Sequence, residues 1–157
     1  MSAPYAPGGQ RNHGNSRNAR QDSPLDCKSL GWIQCIAFQS PLNPELFSGQ
    51  AKKVAEEIAQ EKKELNKSSQ LRRFYDEIVV WEEKLAVDPS KFDEFLPFIR
   101  MLNAKAAYAK GRNVVSESFV CLVEHTLAQV RDAKTMTLCK LFWEAFMGFY
   151  KSERSSD

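Results

Sequence analysis

The apolar residues of this chain recur three and four positions apart over five stretches, each bounded by residues that start or stop a helix. The first begins at Asn43-Pro44, an N-cap followed by proline at the first helical position, and carries Phe47, Ala51, Val54, Ile58 and Leu65. Lys52, Lys53, Glu56, Glu57, Glu61, Lys62 and Lys63 fill the opposite face as a solvated, salt-bridged surface. Gly49 weakens its early turns by ~1 kcal/mol relative to alanine. Ser68 or Ser69 caps the second helix, whose stripe is Leu71, Phe74, Tyr75, Ile78 and Leu85, with Trp81 nearby.

Asp88-Pro89 ends that helix, and Ser90-x-x-Asp93 reads as the capped start of the third. Pro97 lies too deep for a first turn, which predicts a kink or break before a regular helix to Lys110, with Gly111 as a left-handed cap. A fourth helix from Val115 or Ser116 buries Phe119, Leu122, Val123, Leu127 and Val130. After a break at 132–134 the fifth, Thr135 to Ser152, carries Leu138, Leu141, Phe142, Phe146, Phe149 and Tyr150. No stretch alternates as a strand would, and no internal repeat is visible. The pattern predicts an all-α, single-domain bundle of about five helices.

The pattern changes ahead of residue 43. Residues 1–24 are mostly Gly, Asn, Arg, Ser, Pro and Gln, and cannot bury enough apolar surface to offset the entropy of ordering. The division drawn is a disordered basic tail, residues 1–29, and a helical domain, residues 30–157. The tail's three arginines suit loose RNA contact or an inert solvated tail, and composition leaves both open. Leu30, Trp32, Ile33, Ile36 and Phe38 follow in a short apolar run of no clean period. A segment this apolar docks on something, in the first instance its own bundle, otherwise a neighbouring subunit.

Composition adds two constraints. Hydrophobic content of 43%, with ten Phe and three Trp, supplies a core for one domain. The net charge of +2 comes from residues 1–30; the remainder balances 18 bases against 18 acids. Any nucleic-acid footprint is therefore a local patch. Cys27, Cys35, Cys121 and Cys139 lack the spacing of a zinc or redox pair, and the expectation is four free, buried thiols in a reducing cytoplasm. No apolar run approaches the ~18 residues of a membrane span, and the N-terminus has no signal-peptide core.

Catalysis finds little support. His13 lies in the tail, and His125 beside the apolar face of the fourth helix reads as structural. There is no phosphate loop, no H-E-x-x-H and no G-x-S-x-G. Glu82-Glu83 and Asp93-Glu94 are sequence neighbours, which point to different sides of a helix and so do not converge on a metal. Neither a metal site nor a cofactor is expected.

Cations are better organised. Between Glu64 and Asp76 the only charges are Lys67, Arg72 and Arg73; between Glu94 and Glu117 they are Arg100, Lys105, Lys110 and Arg112. Acid-free windows on a helix give a local positive field suited to phosphate. At ~100° per residue, Lys105, Tyr108 and Arg112 share a narrow sector beside the core face of Phe95, Ile99, Leu102 and Ala106. Tyr108 offers a ring to stack on a base or sugar. Equally, the cations can pair with Asp76, Glu82 or Glu83, and spacing alone leaves both readings open. Arg72 and Arg73 have Asp76 and Glu77 within a helical turn, yet sit where the helix dipole disfavours cations.

The run Ser69, Gln70, Leu71, Arg72, Arg73, Phe74, followed about thirty residues later by Lys105, Tyr108 and Arg112, resembles the small helical subunit of type III-A CRISPR effector complexes (the Csm complex). That family shows a Ser/Thr-Gln-Leu/Ile-Arg-Lys/Arg-Phe run and then a Lys-x-x-x-Tyr-x-x-x-Arg pattern; here Lys105 and Tyr108 stand one residue closer. The resemblance spans roughly residues 46–152. It implies a non-catalytic structural subunit that contacts RNA backbone without reading sequence. The implied RNA-binding residues are Arg72, Arg73, Lys105, Tyr108, Lys110 and Arg112. The implied partners are guide RNA (crRNA), target RNA, the backbone subunit, the large polymerase-like subunit and further copies of the chain, in the cytoplasm and away from membrane. The rivals are a helical protein–protein adaptor without RNA and the small subunit of the type III-B (Cmr) complex.

Overall fold

A computed structural model describes residue 4 and residues 23–156. The expectation for a tail over residues 5–22 lies outside the described residues. The architecture is all-α, with five α-helices and no strand among the described residues: α1 Ala51–Ala59, α2 Ser68–Val87, α3 Phe92–Gly111, α4 Glu117–Ala128 and α5 Ala133–Glu153. α5 lies against α1 and α2, while α3 lies against α4 and α2. α5 is the central helix because Met136, Cys139, Trp143, Phe146 and Tyr150 form one buried stripe and Phe142 widens it. Of the positions expected to face inward, Phe142, Phe146 and Tyr150 do. Leu138 and Phe149 are half-buried and Leu141 is exposed.

The helix ends depart from the sequence reading in instructive ways. Asn43 Oδ1 accepts from the Glu45 N–H, but the chain then passes through a π-helical turn, Leu46–Gln50, before α1 begins. α1 stops at Ala59, so Leu65 lies in the following loop and not on the helix. Neither Ser68 nor Ser69 caps α2; Lys67 holds that position without a side-chain hydrogen bond. Asp88, and not Ser90, makes the α2–α3 cap: its carboxylate accepts from the Ser90 N–H and hydroxyl.

Pro97 does not break α3, which runs unbroken through it. Pro97 is exposed, so the carbonyl left without its donor one turn back, on exposed Asp93, can turn to water. The left-handed residue after α3 is Asn113, φ 56°, and not Gly111. Asn113 N–H donates to Lys110 O and Val114 N–H to Ala109 O, the paired bonds of a Schellman motif with Asn113 at C′. Val114 is thereby drawn back onto the bundle.

α4 and α5 start as their residues dictate. Ser116 accepts from the Phe119 N–H, and Asp132 forms a reciprocal capping box with Thr135. The apolar run ahead of α1 packs on its own bundle: Trp32, Ile33, Ile36 and Phe38 are buried. His125 Nε2 and Gln129 Nε2 both reach Ile36 O, at 2.8 and 2.9 Å, and Gln129 Oε1 accepts from the Phe38 N–H. His125 is thus a structural clamp. The expectation of four free thiols is corrected: Cys27 is disulfide-bonded to Cys121 on α4, with Cα atoms 5.4 Å apart. Cys35 and Cys139 remain thiols; Cys139 is buried as expected, whereas Cys35 is exposed. Residues 94 positions apart gave the sequence no signal of pairing.

Two polar residues tie the loops together. Asn66 is fully buried at φ 57°. Its Oδ1 accepts from the Ser116 N–H at 2.8 Å, and its Nδ2 donates to Glu61 Oε2 and Ser116 Oγ. Its own N–H donates to Val114 O, and its carbonyl accepts from the Tyr150 hydroxyl. The α1–α2 loop, the α3–α4 loop and α5 meet at this one residue, the first two through its side chain and α5 through its carbonyl. The Arg154 guanidinium, 6% exposed, donates to the carbonyls of Ala59, Glu61, Lys62, Lys63 and Leu65 at 3.0 to 3.4 Å. A buried cation is costly unless its donors are satisfied, and here backbone oxygens satisfy them.

Candidate nucleic-acid interface

α2 and α3 run antiparallel. The Lys105 ammonium bonds both oxygens of Glu77, at 2.8 and 2.7 Å, and further along Trp81 meets Phe95 and Phe98. This pairing sets the start of α2 beside the end of α3. Between them opens a cleft of about 170 Å³, lined by Gln70, Arg73, Phe74, Glu77, Lys105, Tyr108, Ala109, Arg112 and Val114. Gln70, Arg73, Phe74 and Glu77 are one i, i+3, i+4, i+7 stripe of α2.

Four of the six sequence-derived positions therefore share one site: Arg73, Lys105, Tyr108 and Arg112. Arg73 and Arg112 make no ion pair or hydrogen bond through their side chains among the described residues, and both are exposed. The Arg112 guanidinium sits 5.8 Å from the centroid of the Tyr108 ring, which is 68% exposed. Phe74 forms the floor; it is 7% exposed and packs edge-on against Phe119 at 5.2 Å. The cleft carries three cations against one carboxylate.

The other two positions lie apart. Arg72 points toward α5, along a second groove with Ser68, Tyr75, Glu144 and Lys151. Its Nε bonds Asp76 Oδ1 at 2.8 Å, which raises the guanidinium pKa above its ordinary value. In the same groove burial, and then Glu144, raises the Tyr75 phenol. Lys110 pairs with Glu117 at 2.7 Å. The acid-free windows thus do not survive folding intact. Glu77 and Glu117, just beyond the windows in sequence, are brought onto Lys105 and Lys110. Of the acids set against these cations beforehand, Asp76 takes Arg72, while Glu82 accepts from Thr137.

Sequence reasoning missed Gln70, Glu77, Ala109 and Val114 as lining residues. For Gln70 and Glu77 the signal was available, since they share a helical face with Arg73. Val114 reaches the site only through the turn at Asn113. Among the described residues no group of three His, Cys, Asp or Glu could hold a metal. No helix among them is long and apolar enough to cross a membrane.

A family model described as Csm2 Type III-A matches residues 42–156, which takes in all five helices and the whole cleft and leaves out the docked segment before residue 42. No curated protein and no solved structure matches the chain.

Proposed function

The chain belongs to the Csm2 Type III-A family and is a small structural subunit of a type III-A Csm complex; from that premise we propose that it holds the backbone of guide RNA and target RNA without reading their sequence and without catalysing a reaction. The observation that carries this reading is the pair of guanidiniums without an ion pair, Arg73 on α2 and Arg112 at the C-cap of α3, beside Tyr108. Arginine matches phosphate geometry with a planar fork of donors, and an exposed ring beside it accepts a base or sugar. Phosphate contacts position a strand and carry no sequence information. Lys105, locked to Glu77, stands as a reserve cation whose release costs only a surface ion pair of about 0.2–1 kcal/mol. The Csm backbone subunit, the large polymerase-like subunit and further copies of this chain complete the proposed partners in a cytoplasmic complex.

A second reading has its own observation. Val80, Phe98 and Met101 are exposed, and Phe98 stacks on Trp81 with ring centroids 5.9 Å apart. Such a patch suits a protein surface, as an adaptor role requires. The two readings separate in a salt series with labelled single-stranded RNA. Single strands release about 0.7 counterion per neutralised phosphate, so Arg73→Ala with Arg112→Ala flattens the log-affinity against log-salt slope by roughly 1.4 units, on unrelated sequences alike. Replacing Lys52, Lys53, Lys62 and Lys63 leaves the slope nearly unchanged. Equal slopes for the two variants would reduce the site to diffuse charge; no slope in the wild type would leave the adaptor reading.

A further inference from the structure

The α2–α3 cleft has more in it than backbone binding requires. Its volume of about 170 Å³ is close to the roughly 150 Å³ of a cavity that holds one benzene ring. Two phosphate-binding arginines need no concavity between them. The floor is aromatic, from Phe74, and one wall is the exposed Tyr108 ring. Gln70 is half-buried in the wall, and its amide has no hydrogen-bond partner among the described residues. An amide carries both a carbonyl acceptor and two N–H donors, so in a confined site it suits the edge of a heterocycle. Glu77 and Lys105, bonded to each other, line the same cleft two helical turns from Gln70.

We propose that this cleft receives a single unstacked nucleobase, turned out of the RNA strand, while the phosphates on either side of it rest on Arg73 and Arg112. This rests on the reading of the cleft as an RNA site and adds its ligand. Single-stranded RNA is commonly held by splaying bases out onto aromatic side chains and guanidinium planes. The site tolerates different bases, because the Gln70 amide can rotate to present either its donors or its acceptor. A base held here cannot pair at the same time, so the cleft favours strand segments whose pairing is interrupted.

The test compares a short uridine oligonucleotide with the same ribose-phosphate strand lacking its bases, at fixed salt, using the full chain. Both strands carry equal charge. The wild type prefers the base-bearing strand roughly tenfold, within the range of base-on-aromatic stacking. Tyr108→Ala and Gln70→Ala abolish that preference and keep the salt slope, with melting midpoints showing that both variants fold. Arg73→Ala weakens both strands alike. Equal wild-type binding of the two strands overturns the inference and leaves the backbone reading standing. So does a preference that survives in both cleft variants, or one that disappears on Phe98→Ala, which would place the bases on the Trp81–Phe98 stack. Binding of neither strand defeats the RNA reading itself and this inference with it.

Discussion

Replacing Asn66 with alanine removes the side chain that ties the α1–α2 loop to the α3–α4 loop. The buried Ser116 N–H loses its acceptor at 2.8 Å, and a buried donor left unpaired costs about 1–3 kcal/mol. Alanine must also hold φ 57°, a left-handed conformation that costs an L-residue roughly 1–2 kcal/mol. The bond from the Tyr150 hydroxyl goes to the Asn66 backbone and survives. The expected loss is about 3–4 kcal/mol, or on the order of 10 °C in melting midpoint for a chain of this size. Asn66→Gly loses the same side chain but accepts the left-handed backbone without strain, so it is expected to be about 1 kcal/mol milder. Urea denaturation followed by helical circular dichroism measures both, with an unchanged m-value marking a pure stability effect. An alanine variant within ~0.5 kcal/mol of wild type, the range of an ordinary surface substitution, would refute the role of Asn66. A glycine variant as damaging as alanine would refute the part assigned to backbone conformation.

Phe74→Ala is expected to cost about 3–5 kcal/mol as a large-to-small core change, despite the ring's place in the cleft floor; an unchanged midpoint would show that it is not core. Reducing the Cys27–Cys121 bond, or Cys27→Ser, is expected to cost about 2–4 kcal/mol, read as a lower urea midpoint in reductant than without it. Burial pushes the Cys139 thiol up to about 12, so alkylation of native protein at mild alkaline pH is expected to label exposed Cys35 and spare Cys139 until the chain unfolds. Hydrogen bonds from Thr135 hold the Asp132 carboxyl below its usual range, so its ionised form stabilises the fold above the ordinary carboxylate pKa of about 3.9, and that contribution fades as pH falls through the lowered value. Asp132→Ala is accordingly expected to lose about 0.5–2 kcal/mol at neutral pH, with the gap to wild type narrowing in acid; a gap independent of pH would refute the assignment.

Helix number and most core faces were legible because apolar spacing reports them directly. Of the expected core face Ile99, Leu102 and Ala106 are buried and Phe95 is half-buried, and Lys105, Tyr108 and Arg112 are exposed beside them, as the angular reading required. What remained hidden depends on contacts distant in sequence. Glycine is the usual left-handed residue, so Gly111 drew the cap, but the helix runs one residue further and Asn113 takes it, which lets Val114 reach the bundle. Met136, Cys139 and Trp143 keep the helical period with Phe146 and Tyr150, but Leu138, Leu141 and Phe149 offer a second apolar set at similar spacing, and spacing alone does not say which set faces the bundle. The windows without acid were real in sequence, yet packing carried Glu77 across to Lys105, a meeting 28 positions apart that only the α2–α3 register reveals.

The buried Arg154 also imposes an order of events on synthesis. The carbonyls that it gathers, from Ala59 at the end of α1 to Leu65 in the loop that follows, are translated up to 95 residues earlier. At about 5–20 residues per second, roughly 5 to 20 seconds separate the synthesis of those carbonyls from that of the guanidinium. Through that interval α1 lacks α5, the central helix it packs on, so the apolar face of Val54 and Ile58 has no α5 to cover it. Lengthening the wait, by slow codons placed ahead of α5, is expected to lower the yield of folded protein without changing one of its residues.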